Sequence, residues 1–361
     1  MASLPRIGLV GPDRTQPCGI ADFTERLAVA LVPLCELVFV PIRAALEETR
    51  LDGCQAILVQ YERSLVPSPD FLIRLGARHP GKVYVVPHEV YREDPFAFPF
   101  ASLRSAFPPL LWLKQAAWRW RHRDYAREQR LQAAGYGAHR VIPLSGPGAG
   151  ILRALAPGKV LDPVPHPAYA PPADGEAPAR AGLFPAAPRA ILGIFGFLNP
   201  GLDYGQVFEL LAGLDPGVCL LLLGGERDGD GMRARLEGEA AERGLSGRVR
   251  ITGFLPAWNV GAWLGLCDLF LAPMRFKSNS GALLHLFHLG RPILAPDLPL
   301  TRWLKTEGAP IDLYADAADM RGRVSAYLAG TATPEPNRYR WDFPAAARAY
   351  LRAMGAPAVN N

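Results

Sequence analysis

The chain has 361 residues, 49% hydrophobic and 20% charged, with a formal charge of +5, which suits a globular protein with room for two separate cores. No apolar run approaches a membrane-spanning length, and the charge is too small to argue for nucleic acid. Cys18, Cys35, Cys54, Cys219 and Cys267 are scattered without a CxxC pair, which argues against a disulfide framework or a zinc site and for reduced thiols. The opening MASLPRIGLVGP lacks a charged n-region followed by a long apolar segment, so no signal peptide and a cytoplasmic location are expected.

RIGLVGP (6–12) is a short apolar run ended by Gly-Pro, as a buried parallel strand would be. A polar loop, DRTQPCG, leads into a helical pattern from about Ile20 to Leu34. CELVFVPI (35–42), QAILVQY (55–61), KVYVVPH (82–88) and HRVIPLS (139–145) are further strand-like runs, separated by helical or turn-rich segments. Strand and helix alternating at this spacing predict a parallel sheet covered by helices on both faces.

Between Pro99 and Tyr136 lie seven Lys/Arg (Arg104, Lys114, Arg119, Arg121, Arg123, Arg127 and Arg130) against Asp124 and Glu128, a surplus equal to the whole net charge. Within residues 107–131, Arg119, Arg123 and Arg127 would share one helical face, and Trp112, Trp118 and Trp120 add amphipathic rings. That composition suits an anionic membrane surface or a phosphorylated acceptor, or equally a solvated helix with its tryptophans packed inward. Peripheral attachment to the inner face of a membrane is therefore an expectation.

PAYAPPADGEAPARAGLFPAAP (167–188) is packed with Pro, Ala and Gly and reads as a linker. Strand-like runs then resume with AILGIFGFL (190–198), VCLLLLGG (218–225), RVRITGFL (248–255), CDLFLAP (267–273) and RPILAPD (291–297), with helical patterns at 206–213 and 231–244. GGERDGDG (224–231) lacks the acidic spacing of a calcium loop and is expected to be an exposed turn. The predicted organisation is an α/β protein: domain 1–170, linker 171–188, and a second doubly wound domain over 189–341. Helix 342–354 returns to the first domain. In such sheets ligands sit beyond the carboxyl ends of the strands, and in two-domain proteins between the domains.

RFKSNSGALLHLFHLGRPILAPD (275–297) places small polar residues before an apolar helix expected to run to Gly290. Ser278, Asn279, Ser280 and Gly281 would serve as a helix cap or as an anion site, since both use the unpaired N–H groups of a first helical turn. Lys277 reads as a solvated lysine or a phosphate contact. His285 and His288 stand one turn apart without a third ligand, so no metal site is expected. His88, at a strand end, reads as a contact to ligand or an ordinary strand-end histidine, and His166 as structural. Gly19, Gly196 and Gly253 would relieve crowding or let backbone approach a ligand. Asp22 and Glu62 are candidate polar contacts, although an Asp in a first helical turn is common.

The order of these pieces resembles the GT-B glycosyltransferases, particularly the family-4 type that use nucleotide sugars and retain anomeric configuration. CGIADFTERLAVAL (18–31) looks like that family's first Gly-rich loop and helix; VQYE (59–62) and VVPHE (85–89) fall where it has strand ends facing a cleft between Rossmann-like domains. VPHP (164–167), ITGFL (251–255), CDLFLAP and GRPILAPD follow in family order. The resemblance implies a transfer from a nucleoside-diphosphate sugar to a glycan, lipid-linked or small-molecule acceptor, without a metal or other cofactor. Gly19, Gly196, Gly253, Phe254, Lys277, Ser278, Asn279, Ser280, Gly281 and His285 would hold the donor. His88 would be catalytic, and Asp22, Glu62 and Glu89 would face the acceptor. Two departures stand out. The family's Glu-x7-Glu positions hold Lys277 and His285, and its two diphosphate-binding cations are replaced by Phe197 and about Leu202. Such losses remove charge stabilisation of a leaving diphosphate, so a catalytically inactive binding or scaffold subunit is the alternative reading. A nucleotide-sugar epimerase of similar fold is a third.

Overall fold

A computed structural model describes residues 4–13, 18–90, 123–170, 175–226, 231–275 and 277–356. The chain divides into two compact units, Met1–Pro167 with Trp341–Asn361, and Ala168–Arg340. Residues 107–122 of the basic aromatic segment lie outside the described residues, as do the side chains of Arg123 and Arg127.

The first unit is built on five parallel strands, β1 (Arg6–Gly11), β2 (Glu36–Pro41), β3 (Ala56–Tyr61), β4 (Val83–Pro87) and β5 (Arg140–Val141), in the order β2-β1-β3-β4-β5. Side chains alternate across the sheet, so neighbouring residues of one strand feed two different cores. Ile7, Leu9, Ala56 and Leu58 pack with Phe23, Leu27 and Leu31 of α1 (Gly19–Leu31) and with the C-terminal helix Phe343–Ala353. Val10, Ile57 and Val59 pack with α2 (Phe71–Arg78), α3 (Arg123–Ala138) and α4 (Gly146–Leu155) through Phe71, Leu75, Tyr136 and Leu152. The strand expected over 139–145 is short. Pro143 has no N–H for the ladder, although Ile142 N still donates to Val85 O at 2.8 Å.

Tyr350 is fully buried in the core of the C-terminal helix, and its hydroxyl finds no partner among the described residues. A buried hydroxyl without a partner costs about 1–3 kcal/mol. Tyr350→Phe is therefore expected to raise stability by about 1 kcal/mol, read as a higher urea midpoint. A fall of that size would mean that the hydroxyl is bonded.

The second unit has six parallel strands: β6 (Ala190–Phe195), β7 (Val218–Leu223), β8 (Val249–Ile251), β9 (Leu269–Leu271), β10 (Ile293–Pro296) and β11 (Asp312–Tyr314). Their order is β11-β10-β9-β6-β7-β8. All six residues of β7 are buried, which is why VCLLLL reads as a continuous apolar run. One face packs on α5 (Tyr204–Ala212), α6 (Met232–Glu242) and the later helix Ala317–Leu328, through Phe208, Leu236 and Val324. The Pro/Ala-rich stretch is anchored from Arg180 onward: Arg180 pairs with Asp268, Arg250 Nη1 donates to Leu183 O at 2.8 Å, and Leu183 and Phe184 are buried.

After α7 (Ala257–Leu264), the helix expected to reach Gly290 is instead α8, Gly281–Leu284. Its last carbonyl and one just beyond its end have other partners. Tyr169 N donates to Leu284 O at 3.3 Å, and Asn337 Nδ2 donates to Phe287 O at 2.9 Å. Those oxygens would otherwise accept the next helical N–H groups, so the chain continues in i→i+3 turns to Gly290. The unit closes with α9 (Pro299–Thr306) and α10 (Ala317–Leu328).

Candidate functional site

In the second sheet the strand order reverses between β6 and β9, and open α/β sheets bind ligands beyond the carboxyl ends at such a point. The loops there are built to touch one another. Gly196, at φ 120°, follows β6, and a Cβ on it would lie 2.8 Å from Cβ of Ala282 in α8. A Cβ on Gly224, after β7, would overlap the Gly196 carbonyl, and one on Gly225 would lie 2.9 Å from Phe254 N. Leu198 N donates to Gly225 O at 2.9 Å, and Gly224 N to Thr252 Oγ1 at 3.1 Å. These contacts bring the ends of β6, β7 and β8 and the start of α8 into one glycine-built edge.

The edge also carries polar and aromatic groups. Ser278 and Asn279 are only 4% and 9% exposed, and Lys277 is half-buried. Ser280 holds the N-cap position of α8 but makes no side-chain capping bond, so capping does not account for it. With one turn of helix, α8 contributes its first N–H groups rather than a long dipole. Phe254 is 57% exposed, an aromatic face open to solvent beside the glycines. Gly253, at φ 78°, has the Arg233 guanidinium as the neighbour a Cβ would meet, at 3.3 Å. The His285 ring lies flat against Tyr169, centroids 3.8 Å apart at 7°, with Phe195 edge-on at 5.2 Å.

The two departures are visible here. Phe197 and Leu202 are half-buried, and the 199–203 loop is held by backbone bonds from Asp203 N to Pro273 O at 2.7 Å and from Arg275 N to Gly201 O at 2.9 Å. Arg275 lies beside this loop and pairs with Asp203 at 3.4 Å.

In the first sheet the order reverses between β1 and β3. Gly11 and Gln60 flank that point, and His88 follows β4. His88 is buried; its Nε2 is hydrogen-bonded to the Gln60 side-chain amide at 2.9 Å, and Phe23 meets it edge-on at 4.8 Å. His166, 6.3 Å from His88 between ring centroids, donates from Nδ1 to Pro167 O at 3.0 Å. Burial, and secondarily His166, holds His88 well below the usual imidazole range, and burial pushes His166 down to about 4. Both are neutral near pH 7.

The other sequence candidates of this unit are engaged in local structure. Asp22, in the first turn of α1, pairs with Arg26 at 3.0 Å. Glu62 caps the 3-10 turn Arg63–Leu65, accepting from Ser64 N at 2.9 Å. Glu89 is half-buried beside His88. Gly19 opens α1 with no heavy atom within 4 Å of an added Cβ, so crowding does not explain it.

Four residues escape sequence reasoning: Tyr169, Gln60 and the Gly224–Gly225 pair. Tyr169 was within the expected domain end and Gln60 within a strand, and neither type signals a role. The glycines were read as an exposed turn; they are half-buried and pressed against neighbouring backbone. Among the described residues no three His, Cys, Asp or Glu side chains come together as a metal cluster, and no helix is long and apolar enough to cross a membrane.

Residues 206–326 match the family of glycosyl transferases group 1. No curated protein matches the sequence. Among solved structures, Anabaena HepE in complex with UDP and glucose is 12% identical, with 97% of this chain and 99% of that chain covered and a TM-score of 0.64. Sucrose-phosphate synthase of Thermosynechococcus elongatus is 17% identical, covering 97% and 94%, also at 0.64. A glycosyltransferase of Rickettsia africae is 10% identical, covering 98% of each chain, at 0.65. These likenesses establish the GT-B fold: two parallel-sheet α/β domains.

Proposed function

We propose that the protein transfers a glycosyl group from a nucleoside-diphosphate sugar, held at the carboxyl edge of its second sheet, to an acceptor hydroxyl. The observation that carries this reading is the edge itself. Gly196, Gly224 and Gly225 let the ends of β6, β7 and β8 close on one another and on the start of α8, beside Ser278–Gly281, at the switch point of a sheet largely within the glycosyltransferase match. HepE's bound UDP supports a uridine donor as the first to test.

In this reading the first N–H groups of α8 and Lys277 face the diphosphate, and exposed Phe254 packs against the base. His285, its ring plane fixed by Tyr169, bonds a sugar hydroxyl. Lys277 supplies the charge that Phe197 and Leu202 cannot. His88, neutral through burial, accepts or donates a hydrogen bond to a hydroxyl rather than acting as a fixed cation. Retention of configuration, a glycan, lipid-linked or small-molecule acceptor at Asp22, Glu62 and Glu89, Gly19 as a donor contact, and independence from metal rest on the family-4 resemblance. Attachment of residues 107–131 to an anionic surface rests on their charge.

A thermal-shift panel of UDP-, GDP- and ADP-sugars tests the reading, since a ligand at about a hundred times its Kd adds about 2.7 kcal/mol. Lys277→Ala is expected to weaken the responding sugar's binding about tenfold, with the melting of free protein nearly unchanged. Gly281→Val is expected to obstruct it by bulk. If both variants bind as the parent does, the diphosphate site lies elsewhere. A panel that stabilises nothing would remove the donor reading.

A further inference from the structure

Beyond the carboxyl end of β3 the first unit holds a partly open cleft of about 200 Å³, whose lining includes Tyr61, Arg63, Pro67, Pro69, Glu128 and Gln132. The local sequence makes it. Val66 is extended, at φ −81° and ψ 148°, as suits a residue before proline, so the chain leaves the 3-10 turn Arg63–Leu65 and runs out through Pro67 and Pro69. The rest comes from α3, where Glu128, Gln132 and Tyr136 recur every four residues and share one helical face.

The polar groups of this cleft have hydrogen-bonding capacity to spare. Tyr61 is 2% exposed and lines the cleft, so the little surface it keeps faces that space. Its ring meets Tyr136 edge-on at 5.7 Å, and its hydroxyl makes no hydrogen bond among the described residues. A phenylalanine would fill the same place with no hydroxyl to desolvate, so packing does not explain the oxygen. Gln132 Nε2 donates to the Tyr136 hydroxyl at 2.9 Å, which leaves its oxygen as an acceptor. Glu128 Oε2 pairs with Arg63 Nη2 at 2.7 Å, and a carboxylate accepts more than one donor.

Charge and size narrow the class of ligand. Arg63 and Glu128 are the charged residues of the lining and are opposite in sign. Burial pushes the Tyr61 phenol up to about 12, so it is neutral near pH 7. The lining therefore favours neither an anion nor a cation. Drug-sized ligands fill pockets of about 300–1,000 Å³, so this cleft suits a single ring rather than a nucleoside-diphosphate sugar. A sugar ring matches it, with hydroxyls around the rim for the oxygens and C–H faces for the prolines.

We infer that this cleft binds a neutral pyranose, whose hydroxyls bond Tyr61, Gln132 and Glu128. The inference deepens the transfer reading by naming the acceptor as a sugar ring. It rests on that reading for its purpose, not for its binding, which needs no nucleotide.

The test is saturation-transfer NMR of the full chain without nucleotide, titrated with the methyl glycosides of glucose, galactose, mannose and N-acetylglucosamine. Glucose 6-phosphate and glucosamine are the charged counterparts. At least one methyl glycoside is expected to bind, and Tyr61→Phe, which removes one oxygen, is expected to weaken it about three- to tenfold. Gln132→Leu should act in the same direction, and decides the matter if Tyr61→Phe does not fold. Disaccharides ending in the responding sugar separate a free ring from the end of a glycan. Tighter binding that is still weakened in Tyr61→Phe assigns the glycan end, equal or weaker binding assigns the free ring, and both support the site. The inference is overturned if no glycoside binds, if folded variants bind as the parent does, or if a charged counterpart binds more tightly than neutral sugar in a Tyr61-dependent way. A nucleotide-sugar panel that stabilises nothing counts against the donor reading alone, because the glycosides are read without donor.

Discussion

Acidification is expected to unfold the first unit before the second. Among the histidines whose shifts are described, four are held below their usual range, His79, His88, His139 and His166; all four belong to the first unit, and burial is the leading cause in each. A lowered folded value means that the unfolded chain binds the proton more readily. The associated stability is complete above the unfolded value, near 6.5, and is lost as the pH falls through the folded value, which for His166 is about 4. At about pH 4.5, His166 alone should have cost the unit roughly 2–3 kcal/mol. Carboxylates held low by arginine neighbours, such as Glu48 at about 2 beside Arg50, lose their contribution at lower pH. Urea midpoints across this window measure the loss, and peptide-level hydrogen exchange locates it. His166→Asn should flatten the dependence. Equal loss in both units, or a slope unaffected by that substitution, would contradict the assignment.

The second large effect concerns the glycines of the proposed donor edge. A side chain on Gly224 would run into the Gly196 carbonyl, which is backbone and cannot swing away, and Gly196 is itself at φ 120° against Ala282. Gly224→Val is expected to cost the second unit about 3 kcal/mol through overlap and displaced backbone, and to abolish nucleotide-sugar binding. Gly196→Val should act in the same direction. Gly238, in the interior of α6 with nothing within 4 Å of an added Cβ, is the control: Gly238→Ala should stabilise by about 0.5–1 kcal/mol. Urea unfolding separates these outcomes. A Gly224→Val protein as stable and as competent to bind as the parent would show that close approach at this edge is unimportant.

The strands were legible because a parallel sheet covered on both faces leaves an unbroken apolar record, as VCLLLL does. The lengths of some elements were not. Whether GALLHLFHL continues as a helix depends on Tyr169 N and Asn337 Nδ2 taking its carbonyls, and those partners are distant in sequence. β11 has only three residues and leaves too short a pattern to read. At the candidate site, motif order singled out Gly196, Phe254, the Lys277–Gly281 run and His285, which the fold brings to one edge. Gln60 and Tyr169 could not be singled out in this way, because each meets its histidine only in the folded unit. Gly224 and Gly225 were masked by the polar residues after them, which make the stretch look like a solvent turn.

Hydrogen exchange of the full chain with and without saturating UDP-glucose tests the central claim most directly, because it asks which edge the donor covers. The expected result is slowed exchange at residues 195–198, 224–226, 253–256 and 277–285, the loops that Gly196, Gly225, Phe254 and Ala282 bring together. Protection that leaves all four of these segments unchanged would contradict the account.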